Sequence, residues 1–161
     1  LVESAHDSGE KTLVFSQFVQ FLDIIASCLD EHGISYYTIT GSTPKRQRIQ
    51  LVNEFNEDDT PVFLVSLKAG GTGLNLTGAS VVIHSDPWWN LAAENQATDR
   101  AHRIGQKRAV SVYKVIAKDT IEERVVALQH AKSKLADKLV RGDGTPLASL
   151  TRDELLQLLE R

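Results

Sequence analysis

Residues 12–39 read TLVFSQFVQFLDIIASCLDEHGISYYTI and contain the structural unit that the rest of the chain repeats. The opening run, TLVF, is apolar and predicts a strand, and Ser16 is a candidate N-cap for a helix after it. Apolar residues then recur at helical spacing: Phe18, Phe21, Leu22, Ile25, Cys28 and Leu29. Gly33 is placed to end that helix, and SYYTI at 35–39 is typical of a second strand.

The alternation of strand and helix continues along the chain. Thr43 and Pro44 form a cap and first-turn pair for another helix. We expect three of its residues to face inward: Ile49, Val52 and Phe55. Further strands are predicted at 62–65, 80–84 and 110–116, and further helices at 90–104 and 121–139. This order indicates an α/β fold, in which a parallel sheet is covered by helices on both faces.

The composition is that of an ordinary globular domain. The 161 residues suffice for one domain with an appended helix, and 42% hydrophobic with 24% charged residues disfavour disorder and coiled coil. No apolar run approaches the roughly 18 to 20 residues that span a membrane. The single cysteine, Cys28, excludes an internal disulfide, and its apolar helical setting predicts a buried side chain in a reducing compartment. Because the chain does not begin with methionine, we expect it to be part of a longer protein.

The charge is unevenly distributed. A net charge of −3 argues against a uniformly basic nucleic-acid binder. The basic residues nevertheless form two clusters: Lys45, Arg46 and Arg48, and Arg100, Arg103, Lys107 and Arg108. One surface of the protein can therefore be positive.

A glycine-rich loop, SLKAGGTGLNLTG at 66–78, follows the predicted strand 62–65. Ligands of open α/β sheets bind at the carboxyl ends of strands, and glycines there allow the backbone to approach a phosphate. The alternative is a tight structural turn. Leu76 stands where a dinucleotide fingerprint requires glycine, and the Gly-Lys pair of a phosphate loop is absent from the sequence, so the loop is neither of these motifs.

The predicted helix 90–104 carries a second candidate site. Gln96, Arg100 and Arg103 are spaced i, i+4 and i+7, which places them within an arc of about 60° on one face of a helix. The adjacent face is apolar and mostly small: Ala93, Ala97, Ala101 and Ile104. Paired guanidinium groups suit a phosphate because they donate bidentate hydrogen bonds and stay charged. The alternative is a solvated face with Asp99 as a local partner.

Two adjacent tryptophans, Trp88 and Trp89, lie in the segment DPWWN at 86–90. They cannot share one face, so at least one is expected to be partly exposed, where it can stack on a base or lie along a nucleic-acid groove. The alternative is that both pack in the core. The five histidines lack the spacing of metal ligands, so no metal site is predicted.

Four stretches together resemble the second RecA-like lobe of Swi/Snf-type ATPases, the double-stranded-DNA translocases of helicase-like superfamily two. KTLVFSQF at 11–18 is similar to motif IV, SLKAGGTGLNL at 66–76 to motif V and QATDRAHRIGQK at 96–107 to motif VI. The element after motif IV is matched by GST at 41–43 with Arg48 and Phe55. The motifs occur in order over nearly the whole chain. Leu91 stands where the family usually has proline.

The resemblance implies a RecA-like lobe at 1–118, followed at 119–161 by helices that brace the two lobes. Two capping boxes mark these helices: Thr120 with Glu123, and Thr151 with Glu154. The second helix is expected at 153–159.

In such enzymes the first lobe carries the phosphate-binding lysine loop and the acidic metal-binding motif. The resemblance therefore implies that ATP and Mg²⁺ are bound mainly by that absent lobe, that this chain alone binds neither, and that the isolated chain is inactive. Arg100 and Arg103 match the arginine fingers that reach the γ-phosphate, and Gln96 helps to place them. Gly71 and Gly73 are expected to form the cleft wall near the nucleotide.

The resemblance also implies a DNA interface. Matching positions near the DNA phosphates are Gln17, Thr43, Lys45, Arg48, Ser66, Lys68 and Asn75, with Trp89 reaching toward a groove. We expect the chain to work with its own N-terminal RecA-like lobe on double-stranded DNA, without sequence preference and without a membrane. The protein would then lie in the nucleoid of a prokaryote or in a nucleus.

Two other functions remain open. A strand-separating helicase belongs to the same superfamily, but HRIGQ at 102–106 resembles the translocase branch. A non-catalytic module that binds nucleic acid or protein could also retain this fold. The leading prediction is an ATPase motor lobe that moves on duplex DNA and remodels protein–DNA complexes.

Overall fold

A computed structural model of the chain describes residues 1–70, 73–88, 90–102, 106 and 108–140, with the backbone alone at 68, 70, 91 and 134–140. Strands and helices alternate along it: α1 (Val2–Asp7), β1 (Thr12–Ser16), α2 (Val19–Glu31), β2 (Tyr36–Ile39), α3 (Lys45–Glu57), β3 (Val62–Ser66), α4 (Leu67–Gly70), β4 (Val81–His84), α5 (Leu91–Thr98), β5 (Ser111–Lys114) and α6 (Ile121–Val140). The five predicted strands are confirmed, with ends shifted by at most two residues.

The strands form one parallel sheet in the order β2-β3-β1-β4-β5. Successive side chains of a strand point to opposite faces, so each central strand contributes to two cores. Phe15, Phe63 and Val82 lie in the core that α3 and α5 cover, whereas Val14 and Leu64 lie in the core under α2. The predicted α/β fold with helices on both faces is therefore confirmed.

The predicted start of α2 is wrong by two residues. Ser16 ends β1, and its hydroxyl bonds with the backbone of Phe18, accepting from the N–H at 3.0 Å. This hydrogen bond shapes the turn before the helix, and Phe18 is the N-cap. Gly33 has φ +65° and follows the end of the helix, as predicted.

Cys28 is exposed, so the prediction of a buried cysteine is wrong. The buried stripe of α2 contains Leu22 and Leu29, with Ile25 half-buried between them. Cys28 lies about 100° around the helix from Leu29, because an α-helix turns by that angle per residue. It therefore lies beside the buried stripe and stays exposed, although its neighbours are apolar.

The predicted inward face of α3 is correct for Val52 and Phe55 and wrong for Ile49, which is 54% exposed. Six residues turn a helix by about 600°, which leaves Ile49 about 120° from Phe55. The N-cap of α3 is Pro44, not Thr43. The Thr43 hydroxyl instead accepts a hydrogen bond of 3.0 Å from the N–H of Thr40 in the preceding turn.

Helix α5 ends at Thr98, six residues before its predicted end, and a turn follows at 99–101. The side chain of Asn90 caps its start by accepting from the N–H groups of Ala92 and Ala93 at 3.0 and 3.4 Å. The helix thus begins at Leu91 without the proline that is usual there. Ala97 and Ala101 are buried, as predicted.

Helix α6 begins at Ile121, as predicted, but its capping box is shifted. The Thr120 hydroxyl accepts from the N–H of Glu122 at 3.2 Å, and the Glu123 carboxylate accepts from the N–H of Asp119 at 3.3 Å. The second capping box and the helix predicted at 153–159 lie outside the described residues. Among the described helices, none is both long and apolar enough to cross a membrane.

Candidate functional site

Several predicted site residues follow the carboxyl ends of the parallel strands. Gln17 comes directly after β1, Thr43 and Lys45 follow β2, and Ser66 is the last residue of β3. Because the carboxyl ends of parallel strands lie at one edge of a sheet, the fold gathers these residues along that edge. Arg108 instead lines a pocket with Lys11 at the opposite, amino edge.

Asp86 joins two strand ends at the carboxyl edge. Its carboxylate is buried and accepts two hydrogen bonds, of 3.0 and 3.1 Å, from the backbone N–H of Gln17. The side-chain amide of Gln17 donates to the carbonyl of Pro87 at 2.9 Å. These bonds fix the segment after β1 to the segment after β4. Sequence reasoning missed Asp86, although an acidic residue between a buried strand and a proline was a usable signal.

The turn between β2 and α3 is held by Arg48. Its Nε donates to the carbonyl of Thr43 at 2.7 Å, and its Nη2 donates to the carbonyl of Gly41 at 2.9 Å. Arg48 is half-buried, whereas Lys45 is exposed in the first turn of α3. Of these two predicted DNA contacts, Lys45 presents its charge to solvent and Arg48 stabilises the turn.

The glycine-rich loop returns from β3 past α3. Ser66 is buried, and its hydroxyl has no hydrogen-bond partner among the described residues. Gly73 has φ +70°, a left-handed conformation that favours glycine. Asn75 is exposed, and its carbonyl accepts from Nδ2 of Asn56 at 2.8 Å, while Oδ1 of Asn56 accepts from the N–H of Gly78 at 2.9 Å. Asn56 therefore attaches the end of the loop to α3.

The loop is also joined to the segment after α5. The N–H of Leu76 donates to the carbonyl of Arg100 at 3.0 Å. The side-chain amide of Gln106 donates to the carbonyls of Ala79, Thr77 and Ala101 at 2.7, 3.2 and 3.3 Å. Motif V and motif VI thus contact each other directly. Gln106 lies within the stretch that is similar to motif VI, but no local pattern of the sequence indicated this role.

Two of the three predicted catalytic residues, Gln96 and Arg100, do not share one polar face, and the third, Arg103, lies outside the described residues. Gln96 is exposed, whereas Arg100 is 2% exposed and lies in the turn beyond the end of α5. The helical geometry assumed for them stops at Thr98, so the predicted common face is wrong for Gln96 and Arg100. A contact between Arg100 and a nucleotide requires its guanidinium to become accessible.

Some predicted positions lie outside the described residues: Gly71, Trp89, Arg103 and the side chain of Lys68. Trp88 is buried, at 1% exposure. The expectation that at least one tryptophan is partly exposed therefore remains a prediction about Trp89.

A family profile described as helicase conserved C-terminal domain matches residues 1–105. The chain belongs to the helicase C-terminal domain family. It is the second RecA-like lobe of a Swi/Snf-type protein of helicase-like superfamily two, as its motifs indicated.

The helicase domain has relatives in bacteria and eukaryotes. It is 47% identical over 161 residues to an uncharacterized ATP-dependent helicase of Mycoplasma pneumoniae, covering 99% of this chain and 16% of that protein. The putative ATP-dependent helicase/translocase YwqA of Bacillus subtilis is 41% identical over 161 residues, covering 98% and 18%. DNA repair protein RAD5 of Mycosarcoma maydis is 41% identical over 160 residues, covering 97% and 12%. The helicase domain thus spans less than a fifth of these relatives.

A solved structure confirms the RecA-like fold. The crystal structure of the C-terminal part of the Fun30 ATPase domain matches the helicase domain with a TM-score of 0.73 and 41% sequence identity. The match covers 76% of this chain and 40% of that chain.

Behind the carboxyl edge, the helicase domain contains a buried polar cluster. His84 is 1% exposed, and its Nε2 bonds with the Thr98 hydroxyl at 2.9 Å. The pKa of His84 is lowered to about 4, mainly by burial, while the Glu94 carboxylate raises it and the Lys114 ammonium lowers it by smaller amounts. His84 is therefore neutral at neutral pH, and its ring stacks on Phe15 at a centroid distance of 5.7 Å. Sequence reasoning gave no role to His84.

The donors of the helicase domain suit an anion better than a cation. The predicted nucleotide and DNA contacts are arginine, lysine, amide and hydroxyl side chains together with glycine backbone. Within the described part of the chain, no group of three or more histidine, cysteine, aspartate or glutamate side chains is arranged to hold a metal ion.

Proposed function

We propose that this domain is the second motor lobe of a DNA-dependent ATPase that translocates on double-stranded DNA and remodels protein–DNA complexes. The observation that carries the proposal is the direct contact between the glycine-rich loop and the segment that follows α5, here called the arginine segment because it contains Arg100. The N–H of Leu76 donates to the carbonyl of Arg100, and the Gln106 amide donates to the carbonyl of Ala79. A motor must link its nucleotide contacts to its DNA contacts, and this contact connects the two segments to which those contacts are assigned.

In the proposed mechanism, Arg100 and Arg103 stabilise the charge that develops on the γ-phosphate, and Gln96 helps to place them. Phosphoryl transfer depends on positioning and charge stabilisation, and an arginine finger contributes roughly 10³ to 10⁵ in rate. Gly71 and Gly73 form the cleft wall beside the nucleotide. The cationic and amide donors here suit the phosphates, while the first lobe holds most of the ATP and the Mg²⁺. Arg100 is buried in this domain, so closure of the cleft has to uncover its guanidinium.

DNA lies along the carboxyl edge in this proposal. Lys45 is exposed there and can reach phosphates directly. Asn75 is exposed further along the returning glycine-rich loop, where its backbone carbonyl is bonded to Asn56. The other proposed contacts are Gln17, Thr43, Arg48, Ser66, Lys68 and Trp89. Contacts to the DNA backbone carry no sequence information and weaken as salt rises, so the expected binding is sequence-tolerant and salt-sensitive.

Nucleotide binding closes the two lobes and hydrolysis reopens them. Such hinge closure around a ligand is a common mode of domain motion. The lobes then advance along the duplex because each change at the nucleotide moves the glycine-rich loop. By this mechanism the protein works wherever the cell keeps its DNA, in a nucleoid or in a nucleus.

The test is ATP hydrolysis by the complete two-lobe protein, with duplex DNA, with single-stranded DNA and without DNA. We expect duplex to stimulate hydrolysis, and Arg103→Ala to abolish the stimulation while duplex binding persists. Arg108→Ala is the matched control, because Arg108 is an exposed arginine at the amino edge. Hydrolysis that is indifferent to DNA and to Arg103 would contradict the proposal and favour a non-catalytic module. Stimulation by single strands alone would favour a strand-separating helicase.

A further inference from the structure

A buried carboxylate lies on the same helix as Gln96. Glu94 is 1% exposed, on α5, two residues before Gln96 and six before Arg100. An ionised carboxylate that leaves water is stable only if it gains charged or hydrogen-bonding partners. Neither the motifs nor the proposed chemistry assigns a role to this group, so its contacts determine what it does.

The contacts of Glu94 come from two other elements. Its Oε1 forms an ion pair with Nζ of Lys114, the last residue of β5. Its Oε2 accepts from the side-chain amide of Gln129 on α6 at 3.5 Å. The same Gln129 amide donates to the backbone carbonyl of Trp88, just before the N-cap segment of α5. One carboxylate and one amide thus connect α6 and β5 to α5 and to the segment just before it.

The surroundings make this connection rigid. Gln129 is 6% exposed, and Val125 and Ala131 on the same helix are also buried. One turn further along the same face of α5, the Thr98 hydroxyl donates to the Glu94 carbonyl at 3.3 Å and bonds with His84. Electrostatic and hydrogen-bonding interactions are stronger where water is excluded. A displacement of α6 would therefore be transmitted to the start of α5 rather than absorbed by solvent.

We propose that Glu94 and Gln129 are positioning residues, which form a joint through which α6 sets the position of α5 and of the arginine segment after it. This role of the joint rests on the function proposed above, because the joint acts on the arginines assigned to the γ-phosphate. It does not touch nucleotide or DNA. Its loss should therefore lower the rate of hydrolysis and leave the binding of both ligands nearly unchanged.

The experiment uses the complete two-lobe protein with the variants Glu94→Gln, Gln129→Leu and the double variant. We expect each single variant to lower the duplex-stimulated kcat about tenfold, with the KM for ATP and the Kd for duplex DNA changed less than about twofold. The double variant should be no slower than the slower single variant, because both changes break one joint. His130→Leu is the control, since His130 is an exposed neighbour on α6.

A stability measurement keeps the result unambiguous. Urea midpoints identify variants that are partly unfolded, and kcat is measured well below the midpoint. If the midpoints fall but kcat matches that of His130→Leu, or if the two single effects multiply in the double variant, the joint is refuted. Gln129→Asn retains an amide donor on a shorter side chain. Its kcat should therefore lie between that of Gln129→Leu and that of the original protein. If Arg103→Ala also leaves hydrolysis unchanged, the proposed function itself is wrong. The Arg103→Ala measurement therefore distinguishes failure of the proposed function from failure of the joint alone.

Discussion

The backbone N–H of Leu76 donates a hydrogen bond of 3.0 Å to the backbone carbonyl of Arg100. This bond links the return of the glycine-rich loop to the turn that follows α5. Because both groups belong to the main chain, substitutions other than Leu76→Pro leave the donor and the acceptor in place, and the link is a property of the fold. The side chains around it decide how firmly the link is held.

Gln106 supports that link, and we expect Gln106→Glu to destabilise the chain. The substitution keeps the shape of the side chain but replaces the amide that donates to the carbonyls of Ala79, Thr77 and Ala101 with an acceptor. Leaving part-buried carbonyls without a hydrogen-bond donor lowers the free energy of unfolding by about 1 to 3 kcal/mol. Urea denaturation measures the loss. Gln20→Glu, an exposed glutamine in α2, is the control, and equal midpoints for the two variants would contradict the prediction.

Arg100 should contribute to stability as well as to hydrolysis. Its side chain is 2% exposed, so Arg100→Ala leaves a cavity and removes buried interactions, which lowers the melting temperature by several degrees. In the complete protein the same variant should lower kcat by roughly 10³ or more if Arg100 acts on the γ-phosphate. Thermal melts and steady-state hydrolysis measure the two effects separately. A lower melting temperature with normal kcat would assign Arg100 to the core alone.

The stability of the chain should fall as the pH falls through the range set by His84. Burial lowers the pKa of His84 from 6.5 to about 4, so between these values the unfolded chain binds more protons than the folded chain. Stability therefore rises with pH across this window, with a slope of up to about 1.4 kcal/mol per pH unit. Lys114 and Glu94 act on His84 in opposite directions, so the slope belongs to the cluster.

The measurement is urea denaturation at several values between about pH 7 and pH 5. His84→Asn should remove most of the slope whatever it does to the midpoint at neutral pH. His130→Asn, which changes an exposed histidine on α6, should leave the slope as in the original chain. An unchanged slope in His84→Asn would show that other groups cause the pH dependence.

The sequence predicts the sheet well because each strand carries its own local signal. The runs at β1, β3 and β4 are apolar and buried on both faces, as parallel strands require. It predicts the end of α5 poorly, because small apolar residues continue through Ala101 while the chain turns at 99–101 to meet Leu76. A contact between segments far apart in the chain ends this helix, and no local pattern encodes it.

In the candidate site, too, the sequence reveals local features but not contacts between distant segments. Motif resemblance located Gln17, but its partner Asp86 lies 69 residues away, so spacing could not reveal the pair. Likewise Glu94 looks like an ordinary charged residue of a surface helix until Lys114 and Gln129 are seen beside it. Residue types and motifs indicate which segments carry the site, whereas burial and long-range hydrogen bonds decide which side chains face solvent.

Lys45 and Arg48 illustrate that difference and yield a prediction about DNA binding. Lys45 is exposed, so Lys45→Met should weaken duplex binding and reduce the slope of log K against log salt by about 1, with no change in the urea midpoint. Arg48→Met removes donors to the carbonyls of Thr43 and Gly41, so it should also lower the midpoint.

Duplex affinity is measured in the complete protein over a series of salt concentrations, and stability in parallel by urea denaturation. Arg108→Met removes the same charge at the amino edge, so a smaller slope in that variant would show that net charge alone controls binding. If Lys45→Met left the slope unchanged while Arg108→Met reduced it, the DNA would lie along the amino edge and the proposed interface would be wrong. A loss of slope confined to Lys45→Met and Arg48→Met is the result expected for a duplex along the carboxyl edge, since both residues lie at the start of α3.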